Sequence, residues 1–247
     1  MNALPRIAAW LLAISLVALP VVAVLNGWLG GAQWPMRHLS VTGEFRLVDE
    51  RQVRAAVLPM VRQGFFAVDM EQVRHRIAVL PWVEDAQVRK RWPDRLEVSL
   101  TEYRPVAHWG EDRLLAESGA LFKVPDVALP RLPRFDGPES RATEVQTFHG
   151  QARAMFLGMG LQVSRVELSA RGGWQLTLSD GLEIAVGRND TEHRLARFAR
   201  LLPKIRSGSD RQLVRADLRY TNGFALVWQD ASDVPAATQM NMEKGNT

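Results

Sequence analysis

From Met36 onward apolar residues recur with two different periods, and the changes of period mark out the elements. In MRHLSVTGEF, Leu39 and Val41 alternate with polar neighbours up to Gly43, which predicts a first strand. Asp49 then stands at the N-cap of a helix carrying Val53, Ala56 and Val57 on one face, with Pro59 as its expected end. GFFAVDMEQVRHRIAVLP repeats the device: Asp69 is the cap, Val73, Ile77 and Leu80 the apolar stripe, and Pro81 the stop. Next the period drops to two. Ala86, Val88 and Trp92 share one parity, Leu96, Val98 and Leu100 another, and WPDR between them predicts a hairpin turning at Pro93 and Asp94. Gln87, Arg89 and Arg91 are expected to face Glu97, Ser99 and Thr101 on its solvated side. The expected module is strand-helix-helix-strand-strand over residues 36–104.

From Pro105 the character changes. AHWGEDRLLAESGALFKV predicts two short strands turning near Ser118 and Gly119, and the proline-rich LPRLPRFDGP an extended connector. A helix is expected from about 140 to 157, then strands in VSRVELSA, GWQLTLSD and GLEIAVG, with Gly172-Gly173 and Asp180-Gly181 as turns. Asn189 or Asp190 caps TEHRLARFARLLPKI, whose Leu195, Phe198, Ala199 and Leu202 form a buried stripe; Arg194, Arg197 and Arg200 project outward, as a solvated face rather than a second docking site. LVRADLRYTNGFALVW gives two strands around Asn222-Gly223. This second module, a mixed β domain over 105–230, is followed by a polar, small-residue tail, 231–247, expected to be disordered.

Ahead of both modules no charged residue occurs between Arg6 and Arg37. Ile7 to Leu25 as a helix spans about 28 Å, the thickness of bilayer hydrocarbon, and Trp10 and Trp28 sit near its ends. A single transmembrane helix over 7–29 is expected, with a short cytoplasmic tail, 1–6. A cleaved signal peptide fits less well, because the apolar run is long and no A-x-A site follows. With Arg6 and the amino terminus on one side and no charge on the other before Arg37, the tail faces the cytoplasm and the bulk is exported, a single-pass, type II arrangement; in a bacterium with an outer membrane that means an anchor in the cell inner membrane and a periplasmic body.

That placement changes how the charge is read. A formal net charge of +4 and a pI near 9.9 would suit nucleic acid, but not in a periplasm, so solubility is the ordinary explanation. Cysteine is absent, which removes disulfides, thiolate metal sites and a cysteine nucleophile. The histidines, His38, His75, His108, His149 and His193, show no i, i+4 pair for zinc. There is no G-x-S-x-G, S-x-x-K or P-loop, and the GMG at 158–160 follows a helix rather than a strand. Glu84 and Asp85, adjacent in a strand, are not expected to act as a carboxylate pair. No catalytic residue, metal, cofactor, small-molecule substrate or nucleic acid is expected.

LPWVEDAQVRKRWPDRLEVSLTEYRPVAHW carries Leu80-Pro81-Trp82-Val83, Val88-Arg89-Lys90, Trp92-Pro93, Leu96-x-Val98, Glu102 and the Pro105 to Trp109 segment. With VTGEF, GFFAVD and DLRYTNGFALVW in the same order, the chain resembles the FtsQ/DivIB family of bacterial cell-division proteins. The resemblance implies an α+β chain: a single N-terminal transmembrane helix, a POTRA domain (β-α-α-β-β) and a C-terminal mixed β domain. It also implies a non-enzymatic scaffold of the divisome at the septum, binding FtsB and FtsL and connecting FtsK to the septal peptidoglycan machinery, FtsW and FtsI. The family's docking surface at the closing strands falls here on Arg219, Tyr220, Asn222, Gly223, Phe224 and Trp228. The residues themselves leave Phe224 as core or contact, favour contact for Tyr220, and leave Trp228 open. The alternative is a POTRA-type periplasmic transport or chaperone component, although only about 125 residues follow Arg104, too few for a large barrel.

Overall fold

The computed structural model describes residues 12–22, 34–124, 131–220 and 223–229. The chain divides into two compact units between Tyr103 and Arg104. Residues 12–22 form a helix, α1, about 16 Å long by its rise per residue, with every side chain exposed. No helix among the described residues is long and apolar enough to cross a membrane. The remainder of the expected span, 7–11 and 23–29, lies outside the described residues, as do the tail 231–247 and Asn222.

In the first unit β1 (His38–Thr42), α2 (Glu50–Val61), α3 (Met70–Ala78), β2 (Val83–Arg91) and β3 (Arg95–Glu102) build a three-stranded sheet in the order β1-β3-β2. β1 runs parallel to β3, and β2 and β3 form the antiparallel hairpin. Asp49 caps α2 through the Arg51 amide at 2.8 Å, and Asp69 caps α3 through Glu71 and Gln72. Val53, Val57, Val73, Ile77, Leu96 and Val98 are fully enclosed, each stabilising the unit by a gross 1.5–3 kcal/mol or so. Two expectations fail. α2 continues through Pro59 to Val61, because Pro59 is exposed, the carbonyl it leaves unbonded belongs to exposed Ala55, and buried Val61 anchors the last turn. Trp92 shares parity with Ala86 but lies in the turn and is 72% exposed. Across the hairpin Gln87 faces Ser99 and Arg89 faces Glu97 as expected, whereas Arg91 faces Arg95 and reaches diagonally to Glu97 at 3.1 Å.

The unit is tied together at Glu102. This carboxylate, 7% exposed, accepts from the amides of Arg46, Leu47 and Val48 at 3.0–3.1 Å, fastening the β1–α2 loop to the end of β3. The loop needs it, since Phe45 holds a left-handed φ of 48° that nothing local favours.

The second unit holds a nine-stranded sheet in the order β12-β11-β10-β9-β8-β7-β4-β5-β6. Its strands are β4 (Pro105–Trp109), β5 (Arg113–Ala116), β6 (Leu121–Phe122), β7 (Arg134–Asp136), β8 (Val163–Leu168), β9 (Trp174–Leu178), β10 (Glu183–Gly187), β11 (Gln212–Asp217) and β12 (Ala225–Gln229). Helices α4 (Ala142–Leu157) and α5 (Thr191–Ser207) bury Phe148, Phe156, Phe198 and Leu202 in the core formed with it. The segment after Pro105 makes three strands rather than two, with an additional turn at Gly110–Asp112. The expected connector contains a central strand: β7 runs parallel to both β4 and β8, with Phe135 1% exposed. One apolar residue between charged neighbours leaves too short a pattern to announce a strand; its neighbours in space supply the pairing.

Glu102→Ala would leave three amides without their acceptor, so we expect the first unit to lose roughly 3 kcal/mol or more, read from faster hydrogen exchange in the β3 amides. His149 generates a second expectation. Its ring packs 4.9 Å from Phe135, and burial holds the imidazole below its ordinary value, with Arg153 adding to this and a contact to the Val163 carbonyl opposing it. The unfolded chain therefore takes up the proton more readily. Stability of the second unit should be level at and above pH 7, roughly, and fall as pH drops through about 6 and below. Urea unfolding across that range should show the slope, and His149→Gln should flatten it.

Candidate partner-binding surface at a sheet edge

β12 is paired with β11 on one side only, Leu213 opposite Trp228 and Asp217 opposite Ala225, and no described strand lies on its other side. Exposed strand edges are usually blunted by charge, proline or shortness. β6 at the opposite end of the sheet is two residues long, β2 carries Glu84, Asp85, Arg89, Lys90 and Arg91, and the Arg54 guanidinium reaches the Leu39 carbonyl of β1 at 3.2 Å. ALVWQ in β12 has no charge and no proline, and Val227 is 52% exposed. Its backbone offers donors and acceptors to an added strand.

Of the residues expected from the sequence, the described ones, Arg219, Tyr220, Gly223, Phe224 and Trp228, lie at or beside this edge with different roles. Tyr220 is 58% exposed, at the mouth of the β11–β12 connection. Arg219 is exposed, and its guanidinium is held by Asp217 at 2.6–3.1 Å; that pairing keeps the Asp217 carboxyl below its ordinary range. Phe224 is half-buried, meets Phe198 edge-on at 5.3 Å and carries the Arg197 guanidinium 5.0 Å above its ring. Trp228 is likewise half-buried against the core, so both aromatics position the strand. Gly223 leads into β12 with open space around its Cα.

The three arginines expected to share a solvated face of α5 do not. Arg200 is exposed, Arg197 lies over Phe224 with its Nε enclosed, and Arg194 turns into a recess. Asp190 does stand at the start of α5, but in the left-handed region (φ 49°) and without a side-chain capping bond. The recess, about 310 Å³, is lined by Arg171, Arg188, Arg194 and Arg219 with Ser169, Gly173, Gly187 and Asn189. Arg171, Arg188 and Arg194 have no carboxylate partner among the described residues, so three of its four cations are available to an acidic segment. Sequence reading missed Arg171 and Arg188 because they belong to the β8–β9 connection and the end of β10, far in the chain from Arg219. Among the described residues no group of three His, Asp or Glu side chains could hold a metal.

Residues 34–103 match the model of the FtsQ-type POTRA domain, and residues 107–219 that of the FtsQ/DivIB C-terminal region of cell division proteins. The chain is 52% identical over 227 residues to cell division protein FtsQ of Xanthomonas campestris, covering 92% of this chain and 81% of that one. It belongs to the FtsQ family. Cell division protein FtsQ of Alcanivorax borkumensis is 33% identical, covering 90% of this chain and 86% of that one. FtsQ of Escherichia coli K12 is 31% identical over 96% of this chain and 89% of that one. The first unit of this FtsQ-family chain is thus a POTRA domain, the second the FtsQ β-rich region, and its role lies in bacterial cell division. The transport or chaperone alternative has no support in these matches. The match to the C-terminal family model ends at Arg219, so β12 lies outside the matched residues.

At Gly187, φ is +88° and an added Cβ would stand 3.1 Å from Arg219 Cγ and 3.5 Å from an Arg194 Nη1. Gly187→Ala is expected to destabilise the β domain by about 1–2 kcal/mol and to displace Arg219, measurable by urea unfolding and by loss of the Asp217–Arg219 pairing in carboxyl NMR titration.

Proposed function

We propose that this protein is a non-enzymatic divisome scaffold, held in the inner membrane by one pass over residues 7–29 and exposing its POTRA and β domains to the periplasm at the septum. In this reading FtsB and FtsL dock on the β domain. One of their segments adds as a strand to the open edge of β12, while acidic side chains enter the recess of Arg171, Arg188, Arg194 and Arg219. FtsK on one side and FtsW and FtsI on the other are then brought to the same place, with no cofactor, nucleic acid or small-molecule substrate involved.

The observation that carries this reading is the uncharged outer edge of β12, beside which no further described strand lies, next to an exposed tyrosine and three arginines without a carboxylate partner among the described residues. The edge supplies backbone affinity and the arginines attract and orient the partner. Membrane attachment is supported by the uncharged stretch between Arg6 and Arg37 and by the exposed apolar side chains of α1. Asn222 belongs to the proposed contact by its position between Tyr220 and Gly223.

The full chain in nanodiscs, titrated with the periplasmic segments of FtsB and FtsL, tests the proposal. Tyr220→Ala should weaken binding by about 2 kcal/mol, roughly thirtyfold, in a protein of unchanged circular dichroism. Arg171→Glu should slow association and flatten its salt dependence. Undiminished binding by both variants would remove the interface from this edge, and no binding by the unaltered chain would refute the assignment of these partners.

A further inference from the structure

Among the described residues four aromatic side chains are exposed: Trp34 at 44%, Phe66 at 53%, Trp92 at 72% and Tyr220. The first three, all in the POTRA domain, stand at one end of it. The Phe65 amide donates to the Trp34 carbonyl at 3.0 Å, and the Trp34 and Phe66 rings meet edge-on with centroids 6.2 Å apart. Lys90 places its ammonium 5.7 Å from the centre of the Phe65 ring, and Trp92 follows two residues later. On the other side of the turn the Asp94 carbonyl accepts from the amides of Arg37 and His38 at 3.0 and 3.2 Å. Loop 64–66, the β2–β3 turn and the chain at residues 34–38 therefore converge.

This end is basic as well as aromatic. Arg37, Arg62 and Arg95 are exposed and have no carboxylate partner among the described residues. The acidic groups nearby are engaged: Asp94 meets the His38 ring at 3.3 Å, Glu97 takes Arg91 at 3.1 Å, and Asp69 accepts from the Glu71 and Gln72 amides at 2.9 and 3.3 Å.

Chain length decides what such a surface faces. If residues 7–29 span the bilayer, five residue steps separate the end of the span from Trp34, a reach of no more than about 18 Å even fully extended. The headgroup layer is itself some 5–8 Å deep on each side. Because Trp34 is fastened to the folded domain, the leash ends on this aromatic cluster. Tryptophan and phenylalanine favour the bilayer interface, and arginines beside them attract anionic headgroups.

We propose that Trp34, Phe66 and Trp92 seat the POTRA domain on the outer surface of its own membrane, with Arg37, Arg62 and Arg95 against anionic lipid headgroups. The occupant of this surface is the lipid bilayer. The inference rests on the membrane anchor of the proposed function.

The chain has no cysteine, so single-cysteine variants can carry an environment-sensitive fluorophore without background. Phe66→Cys and Trp92→Cys probe the surface, each leaving the other two aromatics in place. Val79→Cys is the control: it is 64% exposed but lies before the start of β2, whose nine residues span roughly 26 Å from the Trp92 turn. Leu16→Cys reports on the anchor. The full chain is reconstituted in phosphatidylethanolamine vesicles with a minor fraction of phosphatidylglycerol, with nitroxide on the headgroup or deep in the acyl chain. Headgroup nitroxide should quench the labels at 66 and 92 several-fold more than the label at 79, and removing phosphatidylglycerol should reduce the difference. Labels at 66 and 92 quenched no more than at 79, while acyl-chain nitroxide quenches the label at 16, would overturn the surface contact alone. No quenching at 16 would refute the anchor and this inference with it.

Discussion

An open sheet has two edges, and the backbone groups along them need partners that the sheet does not provide. In the nine-stranded sheet one edge, β6, is so short that little remains unpaired. The other edge, β12, is longer and uncharged, and its inner side chains pack on the core. Phe224, Leu226 and Trp228 pack inward against the core, so the strand keeps its outer side turned away from the sheet. A device that protects other edges of this molecule, charged side chains, is missing there. The rest of the functional reading depends on that omission.

In the proposed docking, two kinds of interaction would divide the labour at this surface. Short-range pairing along β12 is directional and sets register, whereas the arginine recess acts over a Debye length and falls with salt. Asp217 restrains Arg219 in place, while Arg171, Arg188 and Arg194 have no carboxylate partner among the described residues. In the first unit the same logic is turned inward. Glu102 spends its charge on three loop amides, and the hairpin's alternating charges keep β2 from pairing with another strand.

Much of the fold was legible because periodicity and capping acted locally. Asp49 and Asp69 cap the helices that their positions announced, and Leu195, Phe198, Ala199 and Leu202 are the buried stripe of α5. What escaped was decided by tertiary neighbours. Pro59 interrupts no helix because its lost bond faces solvent, and Phe135 makes a strand only because β4 and β8 flank it. Arg197 reads as a solvated charge on a helical wheel, yet Phe224, just ahead of β12, lies beneath it. At the candidate site Tyr220 and Arg219 were legible from family resemblance. Arg171 and Arg188 were not, since nothing in their own segments indicates that the fold gathers them around Arg219.

The open edge of β12 is the centre of this account, and amide hydrogen exchange tests it most directly. The full chain is compared with and without the periplasmic segments of FtsB and FtsL, following the amides of Ala225 to Gln229. Slowed exchange confined to β12 and its neighbouring connection is the predicted result. Partner binding that leaves those amides exchanging at their free rate would contradict strand addition at this edge.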